Sequence, residues 1–421
     1  MTKKIYPAPF LKEGSRRKIN KERCRAYLDY AATTPADPRV LRAMLPYFSE
    51  KFGNTMSLHN FGQEAKSALE ESREIVAGLM GAKANELIFT GSATESNNLA
   101  LKGIAFAAEA STRQKKRFIS SPNKKKGRHI IISRIEHPCI MESAKWLEYQ
   151  GFEITRLKVD KYGLVNPKDV KRAIKKGTIL VSVIHASNEI GTIQPIAKIG
   201  KICKKSGVYF HTDAVQSFGK IPIDVDKINI DLLSASSHKM YGPKGAACLY
   251  VREGTKIEPI LHGGGQEQGF RSSTVNVPAI IGFAEACKIA EKEMRKEAER
   301  LTRLKNKLIR GIFKKIPGSY LNGHPKKRLP NNINFWFESV EGESIIIQLD
   351  LLGIAASTGS ACSSAKLEPS HVLLAMGLKH EEAHGSLRLS LGRRTKEWEI
   401  NYLLKVLPQI IKNLRKISGN I

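Results

Sequence analysis

The sequence predicts an α/β protein built around a mostly parallel β-sheet. Seven apolar runs of strand length occur through residues 86–251, and amphipathic segments of helix length lie between several of them. Alternation of this kind is typical of parallel strands joined by helices. The chain has 421 residues, of which 41% are hydrophobic, so it can bury a sizeable core and is not a small disulfide-stapled fold.

The elements are predicted in the following order. The strands cover residues 86–90, 129–133, 153–159, 179–185, 208–213, 231–236 and 246–251. The helices among them cover 96–108, 140–149 and about 196–205. After Pro278 a Glu- and Lys-rich helical pattern runs to about Lys315, and a strand at 331–337, a helix at 344–352 and a C-terminal helix follow it.

These elements suggest a division of the chain into three parts. We expect a basic N-terminal tail at 1–26, a large α/β domain at 27–297 and a smaller α+β C-terminal domain at 298–421, with the boundary inside the long helix. Residues 109–127 are polar and basic and contain Pro and Gly. Such a composition indicates an exposed loop inserted into the large domain.

The charge balance raises nucleic-acid binding as an alternative function. The chain carries 69 Lys and Arg against 40 Asp and Glu, a net charge of +29. Clusters of Lys and Arg neutralise phosphates, but residues 113–128 contain one aromatic side chain among eight basic ones, which is weak for base stacking. We interpret this segment as solvated charge or a docking site for an acidic partner, and transient contact with tRNA stays open.

Membrane insertion and secretion are not indicated. No apolar run approaches the roughly 18–20 residues that a membrane helix needs. The N-terminus is basic and lacks the apolar core of a secretory signal, although an organelle transit peptide stays open. The six cysteines form no C-x-x-C pair, so we expect free thiols in a reducing compartment, the cytoplasm or an organelle matrix.

Two predicted strands end in polar residues that suggest a binding site. One ends in His-Thr-Asp at 211–213 and the other in Ser-Ser-His-Lys at 236–239. Ligands of open α/β sheets bind at the carboxyl ends of strands, so Asp213, Gln216, Ser236, His238 and Lys239 should converge. A lysine that forms a Schiff base and an aspartate that holds a protonated pyridine nitrogen together suit pyridoxal phosphate (PLP). Either residue alone would more often lie on the surface.

Further strand ends supply the rest of this predicted site. A small polar turn before the helix at 96–108 includes Ala93 and Thr94, and a helix start of this kind attracts phosphate. His137 follows the strand at 129–133, where its ring could stack on a cofactor and move a proton. Asn188 follows the strand at 179–185. Taken alone, each of these features has an ordinary explanation that is as good or better. The segments with Thr94 and Asn188 could be simple turns, and His137 could be a structural histidine.

Ten stretches of the chain, in the same order, resemble the cysteine desulfurases of the NifS/IscS type, which are fold-type I PLP enzymes. The resemblance covers roughly residues 27–415. The stretches include YLDYAATTPADPRV (27–40), ATESNNLALKG (93–103), IEHPCIMESAKWLE (135–148), HTDAVQSFGKIPID (211–224), SSHKMYGPKG (236–245), HGGGQEQGFRSST (262–274), TGSACSSAKLEPSHVLLAMGL (358–378) and SLRLSLGRRT (386–395).

The resemblance implies PLP as cofactor and a homodimer with shared active sites. It implies that Asn188 and Arg388 bind the substrate, with Arg388 gripping its carboxylate as a bidentate donor. The implied cofactor contacts are Lys239 in the Schiff base, Asp213 at the pyridine nitrogen, Gln216 at the phenolic oxygen, His137 on the ring, Ala93, Thr94, Ser236 and His238 at the phosphate, and Thr274 at the phosphate of the neighbouring subunit.

Cys362 lies in a run of small residues at 358–365, which indicates an exposed loop. The resemblance implies that this thiolate attacks the sulfur of PLP-bound L-cysteine, which leaves alanine and a persulfide on Cys362. The acceptor would be an iron–sulfur scaffold or a tRNA-thiolation protein. A selenocysteine lyase, another PLP lyase and an inactive PLP-binding scaffold are the alternatives.

Two details of the sequence run against simple motif matching. Residues 380–384 satisfy the zinc-protease pattern H-E-x-x-H, but Gly377 and Gly385 bracket them closely, so we expect no metal site. Ser273 stands where the family usually has glycine, and a positive φ at this position would strain a serine.

Overall fold

The computed structural model describes residues 26–116, 127–358 and 368–418. The strands are β1 (Ala26–Tyr27), β2 (Leu87–Thr90), β3 (His129–Ser133), β4 (Glu153–Leu157), β5 (Thr178–Ser182), β6 (Tyr209–Asp213), β7 (Leu232–Ser236), β8 (Ala247–Val251), β9 (Ser319–Leu321), β10 (Asn332–Phe337), β11 (Ile354–Ala355) and β12 (Ser386–Ser390). The α-helices are α1 (Pro38–Met44), α2 (Pro46–Ser49), α3 (Asn60–Gly78), α4 (Ala93–Lys116), α5 (Pro138–Tyr149), α6 (Pro167–Ala173), α7 (Ile196–Ser206), α8 (Val225–Ile228), α9 (Val277–Lys315), α10 (Gly342–Leu351), α11 (His371–Ala375), α12 (His380–His384) and α13 (Glu397–Ile417).

The large sheet has seven strands in the order β2-β8-β7-β6-β5-β3-β4. Strand β8 is antiparallel to both of its neighbours, and the pairs from β7 to β4 are parallel. This arrangement confirms the predicted α/β class with a mostly parallel seven-stranded sheet. Strands β3, β7 and β8 are buried along their whole length, as expected for strands with helices on both faces.

Successive residues of the central strands point to opposite faces of the sheet. Ile131 packs into one hydrophobic cluster with residues of α3, α7 and α9, whereas Ile130 and Ile132 pack into another with residues of α4 and α5. Two layers of helices therefore cover the sheet, and its carboxyl edge stays available for a site.

A second core surrounds the three-stranded antiparallel sheet β12-β10-β9. Helix α9 serves both cores, because Phe283 belongs to the large-domain cluster and Leu308 to the small-domain cluster. The change from one cluster to the other falls within α9, and the boundary near residue 297 stays a prediction. Strand β1 pairs with β11 and Leu28 packs into the second core, so the first residues assigned to the large domain are anchored to the small one. Such long-range pairing leaves no local sequence pattern.

Helix α4 corrects the predicted start of the basic loop. The helix continues to Lys116, beyond residue 109, at which the loop was expected to begin. Residues 109–116 contain no Pro or Gly and include good helix formers, which explains the extension. The prediction also omitted α3 and β12. None of the described helices is long and apolar enough to cross a membrane.

Candidate active site

Lys239 lies in a short 3₁₀ turn, Ser237–Lys239, directly after β7. Its Nζ donates to the backbone carbonyl oxygens of Ala31 at 2.7 Å and Ala32 at 2.5 Å. Tyr241, two residues later, has a positive φ of 69°, a conformation that is uncommon for a bulky residue. The lysine turn is thus held in an unusual backbone shape at the edge of the sheet.

The segment around Thr33 and Thr34 clamps this turn. Thr33 Oγ1 lies 3.1 Å from His238 Nδ1, and Thr34 Oγ1 donates to the His238 carbonyl at 2.9 Å. Burial, with the charges of Lys239, Lys244 and Lys220, lowers the pKa of His238 to about 4. His238 is therefore a neutral imidazole at neutral pH. Neither threonine is among the site residues predicted from the sequence, although both lie in the matching stretch 27–40.

Gln216 is hydrogen-bonded to the same backbone segment as Lys239. Its Nε2 donates to the Ala31 carbonyl at 2.9 Å, and its Oε1 accepts from Lys220 Nζ at 3.3 Å. The Ala31 carbonyl thus joins Gln216 to Lys239. Burial and the nearby Lys239 charge lower the pKa of Lys220 to about 7.

Asp213 ends β6 and is 4% exposed. Its Oδ1 accepts from the Val215 backbone N–H at 3.0 Å, and its Oδ2 accepts from Asn97 Nδ2 at 2.8 Å. Asn97 comes from α4 and lies in the matching stretch 93–103, but it is not among the site residues predicted from the sequence. These donors fix the carboxylate at the carboxyl edge of the sheet.

His137 is the N-cap of α5. Its Nδ1 accepts from the Cys139 backbone N–H at 3.2 Å and lies 3.0 Å from Cys139 Sγ. Burial lowers its pKa, the Asp213 charge opposes that shift, and the Lys239 and His371 charges add to it. The ring therefore lies within electrostatic reach of both Asp213 and Lys239.

The polar turn before α4 lies beside these residues. Thr94, in the first turn of α4, hydrogen-bonds Cys139, whose pKa burial raises to about 12. Glu95 accepts from the Gly91 backbone N–H at 2.9 Å and pairs with Arg271 at 2.7 Å. Ala93 begins the helix, and Ser236 lies buried at the end of β7. The predicted phosphate-binding residues thus flank Asp213 and Lys239.

Thr274 lies apart from the buried cluster. It is exposed and lines a cavity of about 270 Å³ together with Gly91 and Arg271. Its neighbour Ser273 does not have a positive φ, so the serine backbone is not strained at this position. The expected conflict at this departure from the family pattern does not arise.

Arg388 reaches the site from β12 of the small domain and is 2% exposed. Its Nη2 pairs with Asp29 Oδ1 at 2.8 Å, and its Nη1 donates to the Asn188 carbonyl at 3.3 Å. Its Nε is buried and has no hydrogen-bond partner among the described residues. Arg388 therefore contacts Asn188 at its backbone carbonyl. Asp29 is a further partner of Arg388 that was not predicted from the sequence.

The model of the aminotransferase class-V family matches residues 26–403. The chain belongs to this family. It is 53% identical over 392 residues to "Cysteine desulfurase IscS" of Dictyoglomus turgidum, which covers 93% of this chain and 96% of the relative. A solved "NifS-like protein" is 37% identical, with a TM-score of 0.84 over 93% of this chain and all of that one. The solved structure "SspA in complex with cysteine" is also 37% identical, with a TM-score of 0.74 over 87% of this chain and 98% of that one.

These similarities confirm the resemblance to the NifS/IscS type and the fold-type I class. Within the class-V aminotransferases the protein is a cysteine desulfurase of the IscS type. Enzymes of this family depend on PLP, and the fold places Lys239 and Asp213 at the carboxyl edge of the large sheet.

Cys362, the predicted sulfur-accepting residue of this class-V enzyme, lies outside the described residues. The described residues on either side of it contact the site. Ser357 accepts from the Arg388 backbone N–H at 2.7 Å. Ser370 donates to Glu189, and His371 Nε2 lies 2.9 Å from the Glu136 carbonyl. The chain that carries Cys362 therefore leaves and rejoins the fold beside the residues that flank His137 and Asn188.

The H-E-x-x-H stretch forms α12, a helix of only five residues. The described ranges contain no group of three or more His, Cys, Asp or Glu side chains arranged to hold a metal ion.

Proposed function

We propose that this cysteine desulfurase uses PLP to convert L-cysteine to L-alanine and transfers the sulfur to Cys362 as a persulfide. The observation that carries the proposal is the convergence of Lys239, Asp213 and His137 on one sheet edge, with Arg388 facing them from the small domain. A lysine amine, a buried carboxylate and an aromatic ring are the groups that a pyridine aldehyde requires.

The residues present fit PLP. Lys239 would hold the aldehyde carbon, and the Asp213 carboxylate, kept in place by Asn97 and Val215, would hold the proton on the ring nitrogen. Gln216 would face the phenolic oxygen. Ala93, Thr94, Ser236 and His238 would surround the phosphate, with Thr274 supplied by the partner subunit. When bound, PLP supplies an electron sink for the substrate's Cα.

The substrate would bind on the small-domain side. The unpartnered Nε of Arg388 is a buried donor, and a substrate carboxylate would satisfy it. Asn188 would stand beside that carboxylate. Lys239 Nζ, once released from the cofactor, would take up and return the α-proton, and His137 would serve as a second proton-carrying group.

Cysteine is the favoured substrate because the relatives include cysteine desulfurases and a neighbour solved in complex with cysteine. Selenocysteine lyase activity is the second candidate. The sulfur acceptor would be an iron–sulfur scaffold protein or a tRNA-thiolation protein. The described cysteines, Cys139, Cys203, Cys248 and Cys287, are all free thiols, which supports a reducing compartment such as the cytoplasm.

A homodimer is supported by an exposed apolar surface on the segment 41–61. Leu58 is 93% exposed and Phe52 is 64% exposed, and the rings of Phe52 and Phe61 stack at 5.6 Å. The same segment exposes Leu41, Leu45, Phe48 and Met56. Large apolar surfaces of this kind mark protein interfaces. A second copy is the partner that would bring Thr274 to a shared site.

The central experiment measures alanine and protein-bound persulfide after adding L-cysteine to the PLP-loaded protein. The wild type should form both products. Lys239→Ala should form neither, and Cys362→Ala should yield no transferable persulfide. Faster turnover of L-selenocysteine than of L-cysteine would favour the lyase alternative. A wild type that binds PLP and leaves both amino acids intact would leave the scaffold alternative as the better account.

The dimer is tested by light scattering of the Phe52→Glu, Leu58→Glu double variant. We expect monomers with strongly reduced turnover, because the shared site would be lost. Tyr149→Glu, at another exposed aromatic residue, is the matched control and should stay dimeric. A double variant that remains a fully active dimer would rule out this surface as the interface.

A further inference from the structure

Four side chains of the site form a continuous polar chain. Asn97 Nδ2 lies 2.8 Å from Asp213 Oδ2 and 3.1 Å from Cys139 Sγ. Cys139 Sγ in turn lies 3.0 Å from His137 Nδ1. Asn97 is fully buried and Asp213 nearly so, so water does not compete for their contact. In the function proposed above Cys139 has no role, and Asn97 serves only as a donor to Asp213.

The carboxylate sets the direction of this chain. A carboxylate only accepts hydrogen bonds, so Asn97 turns its NH₂ group toward Asp213. The reverse orientation would press the Asn97 Oδ1 atom, which is buried and unpartnered among the described residues, against the carboxylate. The second amide proton then donates to Cys139 Sγ. The Thr94 hydroxyl also hydrogen-bonds Cys139 and opposes the rise of the thiol pKa, as a donor to the sulfur does. The thiol proton is left to donate to His137 Nδ1.

Nδ1 of His137 receives a second donor. The Cys139 backbone N–H, which can only donate, lies 3.2 Å away because His137 caps α5. Two donors on one ring nitrogen mean that this nitrogen carries no proton of its own. Within the described part of the chain, all the hydrogen bonds of the His137 ring are at Nδ1.

The charged groups that face the ring are Asp213 from β6, Lys239 from the turn after β7, and His371 from α11. Burial has the largest effect on the His137 pKa, and it lowers that pKa. The Asp213 charge works against this shift, whereas the charges of Lys239 and His371 reinforce it. The surroundings thus agree with the hydrogen-bond pattern.

We propose that Asn97 and Cys139 are positioning residues that hold His137 as the neutral imidazole with its proton on Nε2. The inference rests on the proposed function, since it assigns the state in which His137 meets the cofactor and substrate. The ring then offers an N–H at Nε2 and has no free lone pair there. His137 therefore meets the cofactor and substrate as a hydrogen-bond donor at Nε2.

The test follows His137 directly, without turnover. Diethyl pyrocarbonate modifies neutral imidazoles, so the pH dependence of His137 modification in the PLP-loaded enzyme, read by peptide mass spectrometry, gives the midpoint of its titration. In Cys139→Ala the thiol donor is lost, and the midpoint should rise by about half a pH unit. Cys139→Ser keeps a donor at the same place and should restore a midpoint at or below that of the wild type.

Cys203→Ala is the matched control. It removes a buried thiol from the core on one face of the same sheet, and it should lower stability without moving the His137 midpoint. The acid limb of kcat/KM for L-cysteine should move with the midpoint in Cys139→Ala and return in Cys139→Ser.

Equal midpoints in the wild type, Cys139→Ala and Cys139→Ser would overturn the proposal, as would an equal shift in Cys203→Ala. The modification readout needs no substrate. A wild type that does not desulfurate L-cysteine would therefore contradict the proposed function, while the midpoints alone decide the state of His137.

Discussion

The interior of the large sheet and its carboxyl edge both hold histidines whose pKa values are lowered, but the two regions use them differently. His211, inside β6, lies between Ser182 Oγ at 2.8 Å and Ser234 Oγ at 3.1 Å, and burial lowers its pKa to about 3. His137, at the edge, has hydrogen bonds at one ring nitrogen only among the described residues. A lowered pKa alone therefore does not mark a functional histidine, and the free second nitrogen is the better sign.

The same contrast separates two aspartates at opposite ends of these strands. Asp213 lies at the carboxyl edge, while Asp231 precedes β7 and accepts from the Phe210 backbone N–H at 2.8 Å. We expect Asp213→Asn to lower kcat by about 100-fold or more, because an amide cannot hold a proton on the ring nitrogen and preorganised groups of this kind are worth about 10²–10³. Asp231→Asn should leave kcat within about twofold, as steady-state alanine formation would measure. Similar losses of kcat in both variants would show that the aspartates at the two ends of the strands do not differ in their contribution to catalysis.

Arg388 extends the comparison to the small domain. Arg388→Lys replaces a planar guanidinium by an ammonium that cannot bind a carboxylate in the same two-point geometry. We expect KM for L-cysteine to rise about 30-fold, which corresponds to about 2 kcal/mol, with a smaller change in kcat. Arg393, which pairs with Asp37 at 2.7 Å, is the control, and Arg393→Lys should keep KM near the wild-type value. An unchanged KM in Arg388→Lys would remove this arginine from substrate recognition.

Two variants test whether the histidine in the sheet interior, His211, and the histidine at the carboxyl edge, His137, have different roles. His211→Phe leaves the buried hydroxyls of Ser182 and Ser234 without their partner, so the free energy of unfolding should fall by about 2–4 kcal/mol while kcat of the folded enzyme stays unchanged. His137→Phe should do the opposite, lowering kcat by about 100-fold with little loss of stability. Denaturant unfolding and turnover are measured on both variants. A large loss of stability in His137→Phe together with a large loss of kcat in His211→Phe would contradict the assignment of His211 to stability and His137 to catalysis.

The pH dependence of stability tests the burial of the interior histidines. Burial lowers the pKa of His185 to about 4, and that of His211 to about 3, from the ordinary 6.5. Well above pH 6.5 these rings are neutral in both states, so their contribution is complete. As the pH falls below 6.5 the unfolded chain binds protons that the folded chain does not, and the free energy of unfolding should drop by about 2–3 kcal/mol per histidine by pH 4.5.

Denaturant titrations of the holoenzyme at several pH values measure this loss, and His211→Phe should make the pH dependence shallower. Glu136 acts in the opposite sense, since burial raises its pKa to about 8 and its contribution falls as the pH rises from 4.5. A slope identical in His211→Phe and the wild type would show that this histidine is not buried as described.

The sequence by itself determined the α/β class, the seven strands of the large sheet and the positions of Lys239, Asp213 and His137 at strand ends. These features follow from local patterns, because apolar periodicity is written into consecutive residues and parallel strands place their ends on one edge. Tertiary structure alone decided that Asp29 pairs with Arg388 and that Thr33 and Thr34 clamp the lysine turn. It also placed Asn97 between Asp213 and Cys139. These partners are far apart in the chain, and only the packing of helices and of the small domain against the sheet edge brings their polar atoms within hydrogen-bonding distance.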